Sequence, residues 1–130
     1  MDQRTIRQPL VYVVDDDAAV RQALEFALDL EGFSVETFES GEALLLRDTP
    51  AGPGCLVLDE RLPGISGLDT LRQLRARAVD LPAILITTHP GPVLRAAAQR
   101  AGVRILEKPL LGETLAVAIY EAVSSSEPNT

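Results

Sequence analysis

A chain of 130 residues, 46% apolar and 24% charged, has the size and composition of one soluble domain around one core. Twelve Lys and Arg against nineteen Asp and Glu leave a net charge of −7, which argues against direct capture by nucleic acid or an anionic membrane. The longest apolar run, Leu115 to Tyr120, falls far short of the ~20 residues of a membrane span. The start Met1-Asp2-Gln3-Arg4 opens no apolar leader, and one cysteine (Cys55) with one histidine (His89) builds neither an internal disulfide nor a zinc site. The expectation is a small, acidic, cytoplasmic protein.

Short β-type runs alternate with segments of helical period. Leu10 to Val14 is a continuous apolar run rich in β-branched residues, as in a strand buried on both faces. Val20, Leu24, Ala27 and Leu28 then mark one face of a helix, with Asp17 placed to cap its start and Gly32 its end. Phe33 to Phe38 alternates like a half-exposed edge strand, and Ser40 is placed to cap a short helix through Leu46. The breaker cluster from Thr49 to Gly54 closes that helix. The second half repeats the rhythm. Cys55 to Leu58 reads as a buried strand, followed by helical spacing at Leu68, Leu71, Leu74 and Ala78. Ala83 to Ile86 is the next strand, and Leu94, Ala97, Ala98 and Ala101 form a helical set that stops at Gly102. Val103 to Leu106 is a fifth strand, and Leu111, Leu115, Ala118, Ile119 and Ala122 line a last amphipathic helix. The domain is expected to span residues 1–123, with a polar tail over 124–130. Strands separated by helices imply right-handed crossovers and a parallel, doubly wound α/β sheet covered on both faces. Alternation alone leaves the strand order open.

In such sheets, sites form beyond the carboxyl ends of the strands. The residues found there are Asp15, Asp16 and Asp17 after the first strand, Asp59 after the third, Thr87 after the fourth and Lys108 after the fifth. One aspartate would suffice to cap the first helix. Three in a row repel one another, and taken alone they divide evenly between a cap and a cation site. Asp59 at a neighbouring strand end tips the balance to a cation site. Clustered carboxylates suit Mg²⁺, a hard cation that takes oxygen ligands and keeps several waters. A carboxylate beside Mg²⁺ is also able to attack a phosphoryl group, because the metal shields the approaching anion. Lys108, before Pro109, supplies a cation to balance the cluster, and Thr87 supplies a hydroxyl donor.

The set Val14-Asp15-Asp16-Asp17, Leu58-Asp59 with Pro63 and Gly67, Ile86-Thr87 and Glu107-Lys108-Pro109 resembles the receiver domains of bacterial two-component response regulators. The resemblance runs from about Leu10 to Ala122 and implies a flavodoxin-like (βα)5 fold with strand order 2-1-3-4-5. It implies that Asp59 is the phosphoacceptor, charged by a histidine kinase or a histidine phosphotransfer protein. Asp59 would also be a Mg²⁺ ligand, with Asp16 a direct ligand, Asp15 a ligand through water, and the backbone carbonyl of Arg61 the third protein ligand. Thr87 would be the switch hydroxyl, and Lys108 the phosphate-pairing lysine, with a cis peptide to Pro109. Thr88-His89-Pro90 resembles the Gly-His of the nitrogen-fixation regulator subgroup, which makes His89 a loop residue near the site.

One stretch departs from the receiver pattern. Gly102-Val103-Arg104-Ile105-Leu106-Glu107-Lys108 is shorter than usual and places Ile105 at the customary aromatic switch position. Ile105 is expected to stay buried in one rotamer, leaving Thr87 and the loop from Thr88 to Val93 to transmit the signal. The expected function is a single-domain, non-enzymatic phosphorylation switch or relay. Homodimers through the fourth and fifth or the first and fifth helices are also implied, with Tyr120 a candidate contact. The alternatives are a phosphorylation-independent adaptor and an aspartyl-phosphate phosphatase of the haloacid dehalogenase type. That phosphatase needs a second acid two residues beyond its nucleophile, where this chain has Arg61. A nucleotide-binding Rossmann enzyme needs a glycine-rich turn where Asp15-Asp16-Asp17-Ala18-Ala19 stands.

Overall fold

The computed structural model of the protein describes residues 9–47, 52–110 and 113–126. Ten elements alternate along it: β1 (Leu10–Val14), α1 (Ala18–Leu30), β2 (Ser34–Phe38), α2 (Gly41–Leu46), β3 (Gly54–Asp59), α3 (Gly67–Ala76), β4 (Ala83–Thr87), α4 (Pro92–Ala101), β5 (Arg104–Glu107) and α5 (Thr114–Ser126). The strands form one parallel sheet in the order β2-β1-β3-β4-β5, the order that the resemblance implies.

Alternation along the central strands sorts their side chains into two cores. Tyr12, Val14, Leu56, Leu58 and Leu85 face α2, α3 and α4, where Leu44, Leu71, Leu74 and Ala98 meet them. Val11, Val13, Cys55, Val57, Ile84 and Ile86 face α1 and α5, and pack on Leu28, Leu115, Ala118 and Ile119. Residues of β1, β3 and β4 are buried on both faces, which is why these strands read as unbroken apolar runs. Each fully buried aliphatic side chain contributes roughly 1.5–3 kcal/mol relative to an exposed one. Cys55 is wholly buried in β3, and burial pushes its thiol up to about 12.

The caps follow the sequence. The Asp17 carboxylate accepts from the N–H groups of Ala19 and Val20, the Ser40 hydroxyl accepts from Ala43 N–H, and Gly32 takes the left-handed conformation (φ +97°) just past α1. Gly102 closes α4 in the same way, at φ +70°.

Several expectations are corrected. Ala27 is exposed, because α1 turns only Leu28 fully inward, with Val20 and Leu24 half-buried. Ala78 lies outside α3 at φ +65° and is exposed, and Val79 takes the core position instead. Ser124 and Ser125, expected in the polar tail, continue α5 beyond the buried Val123. Ile105 is half-buried rather than enclosed, since β5 is a short edge strand whose Arg104 and Glu107 face water. Tyr120 is 46% exposed as expected, but its hydroxyl donates to the Glu31 carbonyl (2.7 Å) and its ring tilts against Phe33. Leu111, Thr49 to Ala51, Met1 to Arg4 and residues 127–130 lie outside the described residues.

Candidate functional site

Strand register carries the chemistry-bearing residues to one end of the sheet. Val14 of β1 lies opposite Leu58, Asp59 opposite Ile86, and Thr87 opposite Glu107. The backbone ladder runs on past the strands: Asp15 N–H donates to the Phe38 carbonyl (3.1 Å), Glu60 N–H to Ile86 (2.9 Å) and Lys108 N–H to Thr87 (2.8 Å). Each functional residue therefore leaves the sheet from a hydrogen-bonded position and has little freedom to wander.

The result is an open depression of about 240 Å³ lined by Asp15, Asp16, Asp59, Arg61, Thr87 and Lys108, among others. Of the residues expected at the site, these six and Asp17 are brought together there. Carboxylate oxygens of Asp15, Asp16 and Asp59 lie within 4.8 Å of one another, with Asp15 and Asp59 buried and Asp16 exposed. Lys108 Nζ stands 3.2 Å from Asp59 Oδ2 and 3.8 Å from Asp15 Oδ2. The other Asp59 oxygen accepts from the Arg61 N–H at 3.3 Å. The Lys108-Pro109 peptide is cis. Thr87 is buried, and its hydroxyl donates only a long bond (3.3 Å) to the Thr88 carbonyl. Ile105 is absent from the lining of the depression. His89 sits exposed in the adjoining loop with φ +48°.

Burial raises the Asp59 carboxyl above its ordinary value. Lys108 opposes that rise and Asp15 adds to it. The donor set meets the needs of Mg²⁺: hard oxygens around an open pocket, with neither imidazole nor thiolate among them. Zinc would ask for the softer ligands that are missing from the cluster.

Two supporting contacts escape sequence reasoning. Arg21, one turn into α1, donates from its guanidinium to the Asp15 carbonyl at 2.7 Å. Glu60 turns away from the pocket, and its Oε1 accepts from Leu68 N–H in the first turn of α3 at 2.9 Å. Both are bonds from side chain to backbone between segments that only folding brings together. The sole advance signal is the charge of Glu60 beside a strand end; Arg21, inside α1, gives none.

Comparison with known proteins gives one answer. The family model described as "Response regulator receiver domain" matches residues 11–120. The transcriptional regulatory protein FixJ of Bradyrhizobium diazoefficiens is 37% identical over 119 residues, which cover 91% of this chain and 58% of that protein. The C4-dicarboxylate transport transcriptional regulatory protein DctD of Pseudomonas aeruginosa is 40% identical over 117 residues, or 89% of this chain and 25% of DctD. The chain thus spans between a quarter and three fifths of these curated relatives. Among solved structures, full-length FixJ from B. japonicum superposes with a TM-score of 0.85 at 35% identity, covering 95% of this chain and 61% of that one. The FixJ-N structure superposes at 0.81 and 32% identity, covering 96% and 100%.

Proposed function

The chain belongs to the response regulator receiver family, and from that membership we propose that Asp59 accepts a phosphoryl group from a histidine kinase or a histidine phosphotransfer protein. Members of the family are signalling switches of bacterial two-component systems rather than classical enzymes. Phosphorylation and Mg²⁺ binding at an acidic pocket are general features of them. The observation that carries the proposal is the convergence of Asp15, Asp16, Asp59, Thr87 and Lys108, from four strand ends, around one cavity.

Each residue has a role in this reading. With one oxygen held by the Arg61 N–H and the other by Lys108, the Asp59 carboxylate is oriented before a phosphodonor arrives. Asp15, Asp16 and the Arg61 backbone carbonyl would hold Mg²⁺ beside it. Bound there, Mg²⁺ supplies the Lewis acid that offsets charge between the carboxylate and the incoming phosphoryl group. Lys108 pairs with a phosphoryl oxygen. The Thr87 hydroxyl, weakly engaged at rest, is free to turn toward the modified Asp59 and to carry the change into the loop from Thr88 to Gly91. The output is a contact with a downstream partner that depends on phosphorylation, or onward relay of the phosphoryl group. The net charge of −7 gives these residues no electrostatic reason to bind nucleic acid themselves. Among the described residues no helix is long and apolar enough to cross a membrane.

The test is labelling by acetyl phosphate or a phosphorylated kinase. Wild type should label with Mg²⁺ present, and Asp59→Asn should not, since an amide is no nucleophile here. Thr87→Ala should label while losing most of its phosphorylation-dependent affinity for the partner. Stoichiometric labelling of Asp59→Asn refutes the assignment.

A further inference from the structure

We infer that Glu60 is a positioning residue for the metal-facing backbone at Arg61. The inference rests on the Mg²⁺ reading of the site given above. Glu60 is half-buried and tied at three points: its N–H donates to the Ile86 carbonyl (2.9 Å), its carbonyl accepts from Gly67 N–H (3.2 Å), and its Oε1 accepts from Leu68 N–H (2.9 Å). The next N–H, that of Arg61, is held by Asp59 Oδ1.

The peptide plane joining Glu60 to Arg61 is therefore held at both ends, by Gly67 on its carbonyl and by Asp59 on its N–H. The Glu60 side chain makes this arrangement durable. By binding Leu68 N–H it keeps the first turn of α3 drawn up against the strand end, where Gly67 reaches the Glu60 carbonyl. That turn is already capped by Ser66, whose hydroxyl accepts from Asp69 N–H at 3.0 Å, so Glu60 is not needed merely to begin the helix. Its carboxylate instead satisfies a different N–H of the turn and joins α3 to the residue beside Asp59. Removing the acceptor loosens the first turn of α3 and, through Gly67, the carbonyl end of this plane, and the shift passes across the Arg61 Cα to the next peptide unit, which carries the Arg61 carbonyl. Groups that orient metal ligands in this manner typically matter by a factor of ten or more in affinity.

The experiment is calorimetric titration of Mg²⁺ into the full chain, comparing wild type with Glu60→Ala, Glu60→Met, Glu60→Gln and Ser66→Ala. Circular dichroism first confirms the fold of each. The expected result is a Mg²⁺ Kd raised about tenfold in Glu60→Ala and Glu60→Met. Glu60→Gln, which keeps an acceptor oxygen without the charge, should retain wild-type affinity, as should Ser66→Ala. If Glu60→Ala does not fold, Glu60→Met, which retains the packing of the stem, carries the same test. Acetyl phosphate labelling adds a second readout: half-saturating Mg²⁺ shifts in the two weakened variants, while the rate at saturating Mg²⁺ does not. Unchanged affinity in the folded Ala or Met variant overturns the positioning role. An equal loss in Glu60→Gln overturns it in favour of plain charge, and an equal loss in Ser66→Ala overturns it in favour of helix fraying. Failure of the wild type to bind Mg²⁺ is a separate outcome, and it overturns the reading of the site on which the inference rests.

Discussion

The two loops that flank the acidic pocket are built in opposite ways. Between β3 and α3, the chain is fastened at both ends of the loop: Glu60 takes three hydrogen bonds, Ile65 N–H reaches across to Glu42 on α2, and Gly67 lies so close to the Asp59 carbonyl that no side chain fits. Between β4 and α4, the Thr87 hydroxyl reaches only its neighbour's carbonyl, Thr88 and His89 are exposed, and α4 has Gly91 at its N-cap and so no side-chain cap. The loop beside Asp59 holds its geometry, and the loop beside Thr87 has little to lose by moving. Local opening is easiest where buried contacts and hydrogen bonds are fewest, so under the proposed function a change at Asp59 would travel through the loop after β4.

Replacing one glycine in each loop should break the contrast most visibly. A Cβ at Gly67 would stand 2.5 Å from the Asp59 carbonyl oxygen and 2.9 Å from Leu85 Cδ1, and the backbone atom has no room to yield. Gly67→Ala should destabilise by about 1–3 kcal/mol in urea denaturation. At Gly91 a Cβ meets nothing within 4 Å, and φ is an ordinary −84°. Equal losses at the two sites would erase the distinction.

Next in size is the response to Mg²⁺. At ten times Kd, wild type should gain about 1.4 kcal/mol of stability by mass action. Asp16→Ala should lose most of that gain, while His89→Asn in the loose loop should keep it. Thermal melts with and without Mg²⁺ decide the matter, and a full response in Asp16→Ala would show the metal to be misplaced.

A smaller, pH-dependent difference should separate Asp59→Asn from wild type in Mg²⁺-free buffer. Burial holds the folded Asp59 carboxyl above its ordinary value, so the folded state binds that proton more tightly than the unfolded chain does. Its contribution is complete below the ordinary carboxylate range and is lost as pH rises through the raised value. Asp59→Asn should therefore match wild type in acid and become the more stable of the two toward neutral pH. Parallel stability curves from acid to neutral pH would contradict this.

The smallest effect expected is at the start of α4. Gly91→Ser adds a capping hydroxyl and should stabilise by a few tenths of a kcal/mol. It should also blunt the Thr87-dependent partner response, read as a reduced ratio of phosphorylated to unphosphorylated affinity.

The tight side of this contrast was only partly legible in sequence. Strand ends can be read because a run such as Leu56-Val57-Leu58 stops at a charged Asp59, and the fold rule then assigns that residue to the site. The pairings that stiffen the loop cannot be read this way. Nothing in the spacing of Glu60 and Leu68 announces a hydrogen bond that needs α3 seated on the end of β3, and nothing in that of Glu42 and Ile65 announces one that needs α2 beside the β3–α3 loop. Periodicity also overran its limits. Ala78 continues the Leu74 spacing, yet the chain has already left the helix with a left-handed residue, a conformation more usual for glycine. Ser124 and Ser125 failed in the other direction: their polarity suggested a tail, although Val123 anchors the helix that carries them. Ile105 is expected to stay buried in one rotamer because its side chain is apolar and its β-branch restricts it. An edge strand four residues long covers it only in part.

The solitary thiol of β3 turns the middle of the sheet into a clock. Cys55 lies on the same strand as Asp59, wholly shielded, with its acidity suppressed by burial to about 12, so at neutral pH it offers a reagent neither access nor thiolate. The chain has no second cysteine to compete for label. Modification must wait for the α1 and α5 layer to lift from the middle of the sheet, and its rate counts those openings. Any ligand that grips the carboxyl end of β3 should slow that count, and the protein reports the event without an added probe.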